Sequence, residues 1–421
     1  MNNFTLLFVS LLGLSVLLRL WLAGRHLRHV AAHRASVPEA FRDRVSLAEH
    51  QKAADYTRAG VKLGRVELLY GSLLLLLWTL GGGLDLLARA WGGLALGEIS
   101  TGIALMVSAF AIMALLDLPS QLYHTFVLEE RFGFNRTTPA TFVGDLLKNT
   151  LLMALIGIPL AWVALALMAQ AGSLWWLYLW VVWVGFSLFM MWAYPAFIAP
   201  LFNRFTPLED EALRVRIQRL LDQCGFRSQG IFVMDGSRRS GHGNAYFTGF
   251  GRNKRIVFFD TLLKGLEPAE IEAVLAHELG HFKRKHVQKR LLSMMLMSLA
   301  GLALLGWLIE QPWFYQGLGV TQASHAMALL LFLLVAPVFS FFLQPLFAFW
   351  SRRHEFEADD FAARQANAHD LIKALVKLYQ ENASTLTPDP LYSAFHDSHP
   401  PAPVRVAHLS SRLQPALEAK P

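Results

Sequence analysis

A chain of 421 residues could fill two or three ordinary domains, but 54% hydrophobic residues, 12 Trp, 30 Phe and only 16% charged residues depart from a soluble average and point to an integral membrane protein. The formal net charge of +7 does not argue for nucleic acid, because the basic residues fall mainly in loops between apolar stretches and not on one soluble face. The single cysteine, Cys224, forbids an intrachain disulfide and cannot build a cysteine-based metal site, so any metal must be held by His and carboxylate.

In chain order, candidate spans lie at about 4–22, 66–82, 99–117, 150–170, 174–198, 291–309 and 326–349, each near the roughly 20 residues that cross hydrocarbon. The first lacks a basic n-region and an evident small-residue cleavage site, so it reads as a retained span. Gly81-Gly82-Gly83 interrupts the second, and an amphipathic stretch from Leu84 to Leu96 follows. Loop charges orient these spans. Arg25, Arg28, Arg34, Arg42, Arg44, Lys52, Arg58, Lys62 and Arg65 follow the first, and Arg131, Arg136 and Lys148 lie between the third and fourth. Both loops should be cytoplasmic. The opposite side offers Arg89, and residues 171–173 and 310–325 carry no Lys or Arg. Seven spans from an outside N-terminus put the C-terminus and the basic 199–290 segment on the cytoplasmic side.

That segment reads as a small α+β unit. Leu213 to Cys224 has helical character, while Gly230 to Met234, Asn244 to Thr248 and Arg255 to Phe259 look like short strands. Gly241, Gly243, Gly249 and Gly251 punctuate the turns. A strand at Asn244-Ala245-Tyr246 would let a substrate peptide add alongside it through main-chain hydrogen bonds, although a plain hairpin edge has the same pattern.

A helix from about Pro268 carries His277-Glu278-Leu279-Gly280-His281. Residues four apart lie one turn up the same face, so His277 and His281 can aim two imidazoles at one Zn²⁺. Glu278 projects roughly 100° away and is free to act as a general base toward a water at the metal. A catalytic zinc needs a third protein ligand. The metzincin spacing is excluded, because Arg284 and Val287 occupy the positions it needs as Gly and His. His286 is one step off that spacing and reads as a solvated helix residue. Downstream, Glu355 and Asp359 are four apart, so on a helix both carboxylates share a face. One can bind the metal while the other accepts the free N–H of a ligating histidine. An ordinary charged helix surface would look the same.

Together these motifs make the chain resemble the type I CAAX prenyl protease family of integral-membrane zinc metalloproteases. The resemblance extends to Phe126 through Asn135, to Pro200-Leu201-Phe202-Asn203, to Lys254 through Thr261, and to Ser398-His399-Pro400-Pro401 followed by Arg405, nearly the full length. It implies seven transmembrane helices around a water-filled chamber, with a small α+β gluzincin-like metalloprotease domain and the metal at the cytoplasmic end. The corresponding division is 1–198 for a membrane domain of five spans, 199–290 for a cytoplasmic metalloprotease domain, 291–350 for spans six and seven, and 351–421 for a cytoplasmic segment completing the site.

The resemblance also implies roles. His277, His281 and Glu355 are the ligands of one Zn²⁺ per chain, Glu278 is the base, and Asp359 supports a ligand; Glu357 has no role. His399 and Arg405 sit across the site to stabilise the oxyanion or the substrate's carboxyl end. Asn244, with Ala245 and Tyr246, contacts the substrate backbone. The implied activity is endoproteolytic removal of a C-terminal tripeptide from prenylated CAAX proteins. A bacterial member could instead clear or mature membrane-associated peptides without prenylation. The partners are then a peptide or protein substrate, prenylated or not, and the lipid bilayer, with no nucleic acid. A metal-binding transporter also uses several spans, but it should place its polar site near the midplane and not in a cytoplasmic domain.

Overall fold

The structure is a computed structural model that describes residues 2–94, 96–248 and 254–418, with side chains to residue 412; Gly249 and Gly251 lie outside the described residues. Among the described residues, six helices are long and apolar enough to cross a membrane: Asn3–Ala32, Glu98–Phe132, Pro139–Gln170, Gly172–Phe202, His286–Leu308 and His325–Gln365. The pair Leu47–Trp78 and Gly83–Gly92, bent by 45°, makes a seventh candidate when the two helices are taken as one broken span. The glycine run explains the bend. A Cβ on Gly81 would lie 2.8 Å from the Leu77 backbone, and Gly82 takes φ +77, a left-handed conformation open to glycine. Leu17, Leu115 and Met153 leave 67%, 67% and 72% of their surface bare, an outward apolar coat that lipid must cover.

The basic stretch after the first span is largely helical. The helix Leu47–Trp78 begins at Ser46, whose N–H donates to Glu49 at 2.8 Å, and carries Lys52, Arg58, Lys62 and Arg65 before it becomes apolar. A span helix that continues into water needs no apolar periodicity there, so the sequence pattern reads as loop.

Between the fifth and sixth spans sits a four-stranded sheet in the order β1-β2-β4-β3. β1 (Phe205–Pro207), too short for any pattern to reveal, runs antiparallel to β2 (Ile231–Met234). β2 is parallel to β4 (Arg255–Phe259), with Ile231 opposite Ile256. β3 (Ala245–Thr248) pairs antiparallel with β4 and forms an edge of the sheet. Ile217, Leu220 and Leu221 of the helix Glu211–Gln223 pack with Phe258, Ile271 and Leu275 in one apolar core. That core fixes the helix Pro268–Lys283, whose Ala273, Ala276 and Leu279 are fully buried.

A second helix, Gln344–Gln365, lies directly against it. Gly280 sets the separation, since a Cβ there would sit 2.9 Å from Ala358 Cα and 3.0 Å from its carbonyl oxygen. Such a contact with backbone has no side chain that could swing away. The stretches Phe126–Asn135 and Pro200–Asn203 form part of the seam between the membrane helices and the sheet unit. Glu129 accepts from Tyr56 Oη at 2.5 Å, Gly241 N–H donates to the Phe134 carbonyl at 3.0 Å, and Arg239 donates to Asp145 at 2.7 and 2.9 Å and to Asn203 at 2.9 Å.

Candidate active site

The helix Pro268–Lys283 turns His277 and His281 to one side, with their Nε2 atoms 3.2 Å apart. Glu355, buried at 3% exposure on the neighbouring helix, places one carboxylate oxygen 3.3 Å from His277 Nε2 and the other 3.3 Å from His281 Nε2. On their far sides the two rings are anchored. His277 Nδ1 lies 2.8 Å from Asp359 Oδ1, and His281 Nδ1 lies 3.0 Å from His286 Nδ1. A proton on His277 Nδ1 serves the Asp359 carboxylate and leaves the Nε2 lone pair facing Glu355. Among the described residues Oε2 of Glu355 has no hydrogen-bond partner despite its burial, a costly arrangement unless a cation is shared there. Ligand atoms of His277, His281 and Glu355 all lie within 4.8 Å of one another. Two imidazole nitrogens and a carboxylate oxygen suit a divalent metal with a position left open.

Behind this group Arg405, 7% exposed, donates to Asp359 at 2.9 and 2.5 Å. Burial lowers the tendency of Arg405 to stay charged, but the Asp359 carboxylate outweighs it and the guanidinium pKa rises above its ordinary value. Burial and the Arg405 charge push His277 down; the carboxylates of Asp359 and Glu355 prevail and carry its pKa up to about 9 in the metal-free protein. The anchoring shell thus holds Asp359 as a carboxylate, and a metal bound at His277 Nε2 would displace a proton from that ring.

In front, a cavity of about 1680 Å³ opens on the group, with Glu278, His277, His281 and Glu355 in its wall. Glu278 is half-buried beside the two histidines. His399 also lines the cavity, with Nε2 3.4 Å from Glu355 Oε1 and 64% of its side chain exposed. Arg405 does not line it: its guanidinium lies on the far side of His277, committed to Asp359. Of the strand residues, Tyr246 reaches the cavity wall, joined by Phe247 and Thr248. Asn244 and Ala245 do not line it; the Asn244 side chain accepts the Ala245 N–H at 2.8 Å.

His286 departs from the reading as a solvated residue. It is 4% exposed, its Nε2 lies 3.1 Å from Glu357, and its ring stacks on His354 at 4.0 Å and 14°. Lys285, at φ +59, breaks the helical run between Lys283 and His286 and changes the direction in which His286 projects. Spacing along one helix could not reveal this, because His286 belongs to the next helix.

Residues 26–204 match the family described as CAAX prenyl protease N-terminal, five membrane helices, and residues 207–413 match Peptidase family M48. The chain is 39% identical to a CAAX prenyl protease 1 homolog of Arabidopsis thaliana over 72% of either protein. It is 35% identical to CAAX prenyl protease 1 of Saccharomyces cerevisiae over 71% of this chain and 70% of that one. A human CAAX prenyl protease 1 homolog is 32% identical over 83% of this chain and 81% of its own length. The crystal structure of S. mikatae Ste24p superposes with a TM-score of 0.91 at 29% identity, covering 97% of this chain and 99% of that one. With its membrane helices, its sheet unit and its His-His-Glu group, the chain belongs to the CAAX prenyl protease 1 family of M48 peptidases and is a multi-pass membrane metalloendopeptidase.

Proposed function

We propose that His277, His281 and Glu355 hold one Zn²⁺ at the cytoplasmic face of the membrane, and that the site cleaves a peptide bond near the C-terminus of prenylated proteins. The observation that carries this reading is the convergence of three ligand atoms within 4.8 Å on the wall of a cavity of about 1680 Å³. The relatives' names supply the substrate class. Bound zinc supplies Lewis-acid polarisation of the scissile carbonyl and makes a water acidic enough to lose a proton near neutral pH.

The chain's own residues do the rest. Glu278 takes the proton from the attacking water as its oxygen bonds to the carbonyl carbon, then returns a proton to the leaving nitrogen as the C–N bond breaks. His399, exposed beside Glu355, donates to the developing oxyanion. Arg405 acts through Asp359, holding the carboxylate that orients His277. The edge of β3, with Tyr246 at the cavity, receives the substrate backbone, and Asn244 and Ala245 begin that strand. The division into 1–198, 199–290, 291–350 and 351–421 then has a functional sense: the last segment brings Glu355, His399 and Arg405 to the histidines supplied by the second.

Glu278→Gln tests the proposal. The variant should keep its zinc and lose at least about a hundredfold in turnover of a farnesylated CAAX peptide. Near wild-type turnover would refute the mechanism. Equal cleavage of the same peptide without the farnesyl group would refute prenyl dependence and favour a broader peptide-clearing role.

A further inference from the structure

We infer that His286 and Glu357 form a positioning relay that fixes the orientation and tautomer of His281, a function that the motif itself does not contain. The inference rests on the reading of His281 as a metal ligand. If Nε2 of His281 faces the metal, its ring proton sits on Nδ1. Among the described residues that proton meets His286 Nδ1 at 3.0 Å, which must therefore accept. The remaining proton of His286 is then on Nε2, where it donates to the Glu357 carboxylate at 3.1 Å. A single set of tautomers satisfies all three groups. His354 stacks on the outer face of His286 at 4.0 Å and holds the ring in that plane.

The two ligand histidines are thus supported differently. His277 meets the carboxylate of Asp359 directly at 2.8 Å, whereas His281 reaches a carboxylate through an intervening imidazole. Both supporting acids come from the helix that also supplies Glu355. Glu357 is two residues from Glu355 and so projects roughly 200° around that helix from it, onto another part of the same cavity wall. The ring of His286 spans the gap. It is aimed by Lys285, whose left-handed backbone at φ +59 is a conformation that non-glycine residues hold only when the surroundings impose it.

The test is zinc affinity by chelator competition, together with the visible absorption of the Co²⁺-substituted protein, neither of which needs turnover. His286→Ala should weaken zinc binding by about 10- to 100-fold and alter the Co²⁺ bands. His286→Gln, whose amide can accept from His281 and donate to Glu357, should recover most of that loss. Glu357→Ala, at a half-buried rim position, should weaken binding in the same direction without opening the core. Wild-type affinity and unaltered Co²⁺ bands in His286→Ala would overturn the relay. Should that variant not fold, wild-type affinity in Glu357→Ala would overturn it instead. His281→Ala separates the two claims: full zinc retention there would refute the ligand assignment itself, whereas its loss beside an unaffected His286→Ala would refute the relay alone.

Discussion

The buried charges of Glu355, Asp359 and Arg405 all bear on His277. His277 carries a pKa raised from 6.5 to about 9, so its protonated form stabilises the metal-free fold fully below pH 6.5 and that contribution is lost as the pH rises through about 9. A metal at Nε2 competes with that proton. Zinc affinity of the metal-free protein should therefore climb between pH 6.5 and 9, by about tenfold per unit for one displaced proton. Chelator competition at several pH values measures it, and an affinity flat across that window would contradict His277 as ligand. His277 and His281 are legible in the sequence because a four-residue spacing on one helix is a geometric statement by itself. Glu355 is legible only as one of two candidate acids, and the structure distinguishes it from Asp359 by which imidazole nitrogen each faces. Arg405 is legible only through the family resemblance, which puts it across the site, yet it lies buried behind His277. No local pattern says which side of a histidine an arginine 128 places further on will occupy.

Two packed helices set the distances that the chemistry needs. Gly280 lets the helix Pro268–Lys283 approach the helix Gln344–Gln365 until its Cα faces Ala358. Gly280→Ala should force the helices apart, with a loss of about 1–3 kcal/mol in stability and weaker zinc binding, since the histidines and Glu355 sit on opposite sides of that contact. Thermal unfolding in detergent, with and without zinc, measures both, and an unchanged protein would show that the spacing has slack. The sequence shows a Gly between the two proposed ligand histidines but not what it faces, because the contact joins segments far apart in the chain, on either side of the apolar helix His286–Leu308. β4 and the motif helix were legible from their patterns. β1 was not, being three residues long and defined by its pairing with β2.

The whole molecule brings together the proposed ligands from either side of a pair of spans. An even number of crossings, His286–Leu308 and His325–Gln365, returns the chain to the side on which it left, and this allows Glu355 to meet His277. Apolar length made the spans legible, whereas the long polar start of Leu47–Trp78 was hidden because a helix in water between two environments has no single apolar face. The proposed cytoplasmic orientation is open to labelling, since the single cysteine, Cys224, is buried. Gln322→Cys, exposed in the loop between those two spans, should react with an impermeant maleimide in intact cells, and Glu209→Cys only after lysis. The reverse pattern would put the site on the other side.

Metal content tests the central claim most directly. Elemental analysis of the purified protein should find one zinc per chain, and Glu355→Ala, which removes the carboxylate facing both imidazoles, should retain only a small fraction of it. A wild-type protein with no tightly bound metal, or a Glu355→Ala variant with a full equivalent, would contradict the account.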